Sequence, residues 1–380
     1  MMDLSDSLKF SRRTALAGLG LGGYLFLSSS SQGKETSLTR KRVPLIVATD
    51  LFRPHDDPDD HWDLATAYAL AFQGAVDLQA VLIDFPRPNS GKDPDVLAVC
   101  QMNYITGLKV PVIVGSPHPY TPDIGFDKDE ATRRRLHTLL EVLEGSKKPV
   151  GISVAGSCRD IATAARLRPD LFAEKCAAVY LNAGASRPDA SGKSHLEWNV
   201  TLDPAAYRAM FELPCPVYWM PCFEDVRRVQ VSEYATYFRF QQGDVLSQVS
   251  PLVRKFFGYV FHAGATGQKP STDWLQYLLA EEDQTLLSAI AQQPRNMWCT
   301  GGFIHAAGFK VTPEGELVAL DDKKPSVFEF APIEIRRCEG GFVEWEPSDS
   351  EKRFIFHVTN VDRYNSAMTN ALLTLLRGLP

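Results

Sequence analysis

The stretch "VPLIVATDLFRPHDDPDDHWDLATAYALAF" (Val43–Phe72) decides the fold and raises the question of function at once. "VPLIVATD" is an apolar, β-branched run of the kind that makes a buried strand. "HWDLATAYALAF" carries the spacing of a helix. Between them, Thr49 to Leu64 holds six Asp, two His and two Pro. Six carboxylates this close repel one another. Helix capping explains one or two of them, not all six. A hard cation such as Ca²⁺ takes about six to eight oxygen ligands, many from carboxylates, and would offset the repulsion. Asp50 and Asp60 could hold such an ion while Asp59 faces a bound water as its base.

Outward from that unit the pattern repeats. "LQAVLIDF" reads as a second strand, "DPDVLAVCQMNYITG" as a helix ended by Gly107, and "VPVIVG" as a third strand. A helix "ATRRRLHTLLEVLEG", a strand "PVGISVAG", a helix "CRDIATAARLRPDLFAEKC" and a strand "AAVYLNAGA" follow. Strands with few polar residues, alternating with helices, predict an α/β fold. The expected form is an open, doubly wound, mostly parallel sheet with helices on both faces. Ligands of such sheets bind outside the carboxyl ends of the strands. The Asp-rich stretch, "DFPRPNS", "AGS" and "NAGAS" all fall there. From about residue 226 to 295 the chain becomes more helical, as "LSQVSPLVRKFFGYVFHAG" and "DWLQYLLAEEDQTLLSAIAQQ" suggest a cap or side wall. "SVFEFAPIEIRRCEGGFVEWEPS" alternates like an antiparallel hairpin, "RFIFHV" is a strand, and "VDRYNSAMTNALLTLLRG" a closing helix. With no internal repeat, one elaborated domain over residues 43–380 is expected.

The first 42 residues stand apart. Arg12-Arg13 precede an apolar run from Ala15 to Leu27 that is too short to span a bilayer, the form of an export signal. "SRRTAL" resembles a twin-arginine signal, although Ala15 stands where an aromatic is often found, and "SSSSQGKETSLTRKR" reads as a linker. The expected location is therefore periplasmic or extracellular, with membrane contact only through an uncleaved signal. The 380 residues are 44% hydrophobic and 23% charged, ordinary for a soluble globular protein, and the net charge of −6 argues against a nucleic-acid partner. Seven Cys include no C-x-x-C pair, so a thiolate zinc site is not expected, and the odd number leaves at least one thiol outside any intramolecular disulfide. Cys100 and Cys176 lie in core-like surroundings.

Asp50, Asp59 and Asp60 carry a resemblance to the inosine/uridine-preferring nucleoside hydrolases, which open with a strand running into D-x-D-x-x-x-D-D and an alanine- and leucine-rich helix. Ala48 departs from that pattern at its first Asp. The gap from Asp50 to the pair is also five residues longer, filled by "LFRPHDDP", which makes Asp56-Asp57 a competing pair. Further on, "VGISVAGSCRDIATAARLRPDLFAEKCAAVYLNAGA" is similar to the family's "TGPLTNIA" turn with its flanking elements, and "HLEWNVTLDPAAY" to "AEFNIxxDPEAA". The closing helix matches as well, so the resemblance covers nearly the whole chain after residue 42.

The resemblance implies an N-glycosidase. Asp50, Asp60 and the Ala155 carbonyl would hold Ca²⁺, and Asp59 would deprotonate its water. Glu197 and Asn199 would contact ribose hydroxyls, with Asp203-Pro204 at a helix start. The family's late His-Asp pair aligns with "GGFIHAAG", giving His305 beside the leaving group but Ala306 in place of a metal ligand. His55, Asp56 or Asp57 could compensate. Asn89 and Asp84 compete for the family's Asn after the second strand. Trp62, Trp198 and Trp274 could stack on a base but suit a core better. "NAGAS" lacks the Lys-Ser/Thr of a P-loop. The expected partner is a small nucleoside or glycoside, and a homo-oligomer is compatible with the sequence. The competing reading is a non-catalytic carbohydrate- or nucleoside-binding member of the same fold.

Overall fold

Alternate side chains of β1 (Val43–Thr49) enter opposite cores: Leu45 and Val47 pack into one apolar cluster, Ile46 and Ala48 into another. A strand buried on both faces is what its unbroken apolar run requires. The computed structural model describes residues 42–51, 59–84, 94–121, 130–188, 195–265 and 274–380. The signal and linker through residue 41 lie outside the described residues, as do His55, Asp56, Asp57 and Asn89.

After β1 come α1 (Asp59–Phe72), β2 (Val76–Ile83), α2 (Pro94–Thr106), β3 (Val112–Val114), α3 (Glu130–Gly145) and β4 (Val150–Ala155). Then follow α4 (Arg159–Leu167), α5 (Pro169–Lys175), β5 (Cys176–Asn182), α6 (Trp198–Leu202), α7 (Pro204–Met210) and β6 (Val217–Met220). The later half holds β7 (Phe238–Gln241), α8 (Gln242–Leu246), α9 (Pro251–Ala265), α10 (Trp274–Leu279), α11 (Gln284–Ala291), β8 (Pro294–Met297) and α12 (Thr300–Ala306). It closes with β9 (Phe309–Val311), β10 (Leu317–Ala319), β11 (Phe328–Glu339), β12 (Phe342–Pro347), β13 (Arg353–Val358) and α13 (Val361–Arg377).

The main sheet has nine strands in the order β3-β2-β1-β4-β5-β6-β13-β11-β12. It is parallel from β3 through β13, with β11 and β12 antiparallel at one edge. The strand order reverses between β1 and β4, where Thr49 pairs with Ala155. Crevices of this kind are where doubly wound sheets take their ligands.

Helix α1 is buried from Asp60 to Ala71, nearly its whole circumference, so it is a core helix rather than a surface one. Trp62 stacks on Phe257 of α9 with ring centroids 3.9 Å apart, and this packing fixes the rotation of the helix that carries Asp59 and Asp60. A Trp62→Ala change would cost about 3–5 kcal/mol.

Three expectations need correction. The helix read through residues 158–176 is two helices, because Pro169 has no N–H to continue α4 and instead opens α5. The helical stretch from Trp274 to Ala291 also breaks, with Asp283 capping α11. Within the helical region expected over 226–295, β7 pairs with β8 in a separate two-stranded sheet. Among the described residues no helix is long and apolar enough to cross a membrane.

Candidate functional site

The first turn of α1 faces the carboxyl end of the sheet. Asp59, Asp60 and Asp63 each place a carboxylate oxygen within 4.8 Å of the other two. Residues three and four apart share a helix face, so Asp63 joins both members of the pair. Two oxygens bound to one Ca²⁺ at about 2.4 Å lie no more than about 4.8 Å apart, so this spacing suits a common ion. Without one, each ionised pair at that distance would repel by roughly 3 kcal/mol at an effective dielectric near 20. Burial and the Asp60 charge hold the Asp63 carboxyl well above the usual range. Its Oδ2 has no hydrogen-bond partner among the described residues. A buried, crowded, all-oxygen donor set fits a hard divalent cation.

The other predicted ligands lie along the same edge. Asp50, 3% exposed, directly follows β1. Ala155 is the last residue of β4 and Thr49's register partner. The turn after it is tightly specified. Gly156 has φ 146°, and a Cβ there would collide with the Asp84 carboxylate. Cys158 has φ 65°, a left-handed conformation costing a non-glycine residue about 1–2 kcal/mol. Asp84, at the end of β2, accepts from the Ser157 N–H and, at 2.9 Å, from its hydroxyl. Asp160 accepts the Ser116 N–H at 2.8 Å. Of the two candidates for the Asn after the second strand, only Asp84 is among the described residues, and it is committed to this turn.

Glu197 caps α6. It accepts the N–H of Gly184 at 2.8 Å, of Asn199 at 2.9 Å and of Val200 at 3.3 Å. Burial raises its pKa, and those backbone donors oppose the rise. Asn199 donates to the Asn182 carbonyl at 3.0 Å. The Asn182 amide, at the end of β5, accepts from the thiols of Cys299 (3.2 Å) and Cys222 (3.6 Å) and donates to the Met220 carbonyl (2.9 Å). Asp203 caps α7 through Ala206, and its Oδ2 takes the Tyr120 N–H at 2.7 Å, as the Asp-Pro helix start predicts.

His305 lies elsewhere, roughly 9 Å along α12 from Cys299. It hydrogen-bonds Tyr180 at 2.9 Å and packs against the rings of Tyr218 and Phe330. None of these partners belongs to the acidic cluster, and burial pushes its pKa down to about 4. The residues that meet the cluster from the start of α12 are Cys299 and Thr300, and the Thr300 hydroxyl donates to Asp63 at 3.5 Å. Trp298 and Cys299 stand at the start of α12, and Trp298 is held by its Nε1 on the Cys222 carbonyl at 3.0 Å. Of the three Trp candidates, Trp62 is core, Trp274 packs edge-on against Tyr104, and Trp198 is 47% exposed beside Glu197. Asp63 and Cys299 escaped the sequence reading. The i+3, i+4 spacing from the Asp pair was the signal that could have found Asp63.

No curated protein matches the chain. Among solved structures it is similar to an inosine-guanosine nucleoside hydrolase, at 15% identity over 88% of this chain and 99% of that one, with a TM-score of 0.48. It is also similar to an inosine-uridine preferring nucleoside hydrolase from Bacillus anthracis (14% identity, 89% and 100% covered, TM-score 0.46). A plant nucleoside hydrolase is a third (13%, 88% and 99%, TM-score 0.48). The family profile described as inosine-uridine preferring nucleoside hydrolase matches residues 54–302, from the acidic turn into α12. With the match running through most of the sheet and its site-bearing edge, the chain belongs to the inosine-uridine preferring nucleoside hydrolase family.

Proposed function

We propose that this chain hydrolyses the N-glycosidic bond of a nucleoside or a related ribosyl compound with the help of a divalent cation, Ca²⁺ before others. The observation that carries the reading is the set of carboxylate oxygens within 4.8 Å of one another at the edge where the strand order reverses. Asp50, Asp60 and the Ala155 carbonyl would hold the ion. When bound, the cation supplies Lewis-acid polarisation of water and of sugar hydroxyls. Asp59, the least buried of the three clustered acids, takes the proton from the attacking water. The water adds to the anomeric carbon, the C–N bond breaks, and the base leaves with the bonding pair. Glu197 and Asn199 orient the sugar as it gains oxocarbenium character. Glu197 does so from a fixed position, since three backbone donors already hold its carboxylate. His305 has no part, because a histidine with its pKa near 4 carries no imidazolium proton at neutral pH.

The test is release of free base, followed by chromatography, from inosine, uridine, guanosine and cytidine in the presence of Ca²⁺. Wild type should release base from at least one of them, and Asp59→Asn should not. Binding without release would favour a non-catalytic nucleoside or carbohydrate binder. Residues 1–42 act in this proposal as an export signal. Replacing Arg12 and Arg13 by Lys should then hold the protein in the cytoplasm on fractionation.

A further inference from the structure

The least expected member of the site is Asp63. It sits on α1 one turn beyond Asp59, inside a helix whose neighbouring positions are core residues such as Leu64, Ala65 and Ala67. Helix propensity gives no reason for a carboxylate there, since nothing is left to cap. It is 3% exposed, yet the one hydrogen bond its carboxylate accepts among the described residues is a long one, from the Thr300 hydroxyl at 3.5 Å, with Cys299 beside it. No salt bridge reaches it among the described residues, and its Oδ2 accepts nothing there. A buried carboxylate persists when it is neutralised, by a proton or by a cation. The Asp63 ligand oxygen lies within 4.8 Å of those of Asp59 and Asp60, a spacing that suits a shared ion.

We propose that Asp63 is a direct ligand of the divalent cation, so that α1 supplies a carboxylate which the facing start of α12, occupied by Cys299 and Thr300, does not. This deepens the proposed function and rests on it for the presence of the ion. It has two structural consequences. Three of the site's carboxylates then stand on one rigid, fully packed helix, with Asp50 directly after β1. And a carboxylate introduced at Cys299, which neighbours Asp63, would enter the same space from the opposite wall.

The experiment uses the full chain and reads Ca²⁺ affinity by calorimetric titration, with Mg²⁺ and Mn²⁺ as further probes, alongside thermal melts with and without metal. Wild type binds Ca²⁺ and melts higher in its presence. Asp63→Asn, close in shape and neutral, is expected to lose at least about 100-fold in affinity and most of the metal-dependent rise in Tm, while melting in chelator no lower than wild type. Adding Cys299→Asp to Asp63→Asn should recover at least about tenfold in affinity, which a purely structural role for Asp63 would not produce. Unchanged Ca²⁺ affinity in Asp63→Asn overturns this assignment and leaves the proposed function standing. Failure of wild type to bind any of the three ions overturns both. If Asp63→Asn does not fold, Asp63→Glu replaces it: the carboxylate kept but displaced must change affinity without abolishing it, and an unchanged affinity again overturns the assignment.

Discussion

Asp84, at the end of β2, and Asp160, in the first turn of α4, are buried neighbours at the carboxyl edge, and each accepts a backbone N–H: Asp84 that of Ser157, Asp160 that of Ser116 at 2.8 Å. Burial raises the pKa of both carboxyls, and the Asp84 charge raises that of Asp160 further. The pair ties together three segments at the carboxyl edge: Ser116 after β3, Ser157 after β4 and Asp84 itself after β2.

That arrangement predicts asymmetric tolerance. Asp160→Asn keeps an acceptor toward the Ser116 N–H and removes a carboxyl that burial penalises, so it should cost less than about 1 kcal/mol. Asp84→Ala leaves the buried Ser157 N–H and hydroxyl without their acceptor, and should cost about 2–4 kcal/mol. Urea denaturation of the two variants measures the difference. Equal losses would show that the pair is not organised in this direction.

The same pair sets a pH dependence. An acid whose folded pKa is raised contributes stability that is complete below its unfolded value, about 3.9, and is lost as pH climbs through the folded pKa. Asp160 is such a group. Stability between pH 4 and neutrality should therefore fall more steeply in wild type than in Asp160→Asn, measured as denaturation midpoints in buffers of matched ionic strength. Parallel slopes would contradict a protonated Asp160.

Glu197 should behave as a cap before anything else. Glu197→Ala strands three backbone N–H groups, those of Gly184, Asn199 and Val200, and is expected to cost about 1–3 kcal/mol. Glu197→Gln keeps one acceptor oxygen and should fall between the two. Because the loop it holds carries Asn199, any measured KM should rise in the same order as stability falls.

His305→Phe tests the negative assignment. The ring lies among Tyr180, Tyr218 and Phe330, so a phenyl group should cost less than about 1.5 kcal/mol beyond the lost Tyr180 hydrogen bond. Base release, once established, should stay within about threefold of wild type. A loss of a hundredfold or more would return His305 to the chemistry.

The parts of this architecture set by local pattern are legible in the sequence. Apolar runs such as Val43–Thr49 and Val150–Ala155 announce buried strands, and their alternation with helices announces the parallel sheet. Family motifs point to the acidic turn and to the 155–162 stretch. What escapes is decided by packing across the chain. Asp63 looks like one more polar residue until α12 is folded against it. Which end of α12 meets the acids, Cys299 rather than His305, shows only once β8 leads into that helix. Glu197's role depends on Gly184, thirteen residues earlier, and no spacing rule links the two.

Strand β1, which ends in Asp50, is flanked by β2 and β4 and covered on both faces, with strands on either side separating it from the sheet's edges. Local opening of a sheet begins at its margins. Fraying of β12 or β3 therefore leaves the floor of the cleft intact, and the amides of Ile46 to Ala48 should be among the last in the protein to exchange with deuterium. In kinetic terms, the residues that gather around the acids persist until the whole molecule unfolds.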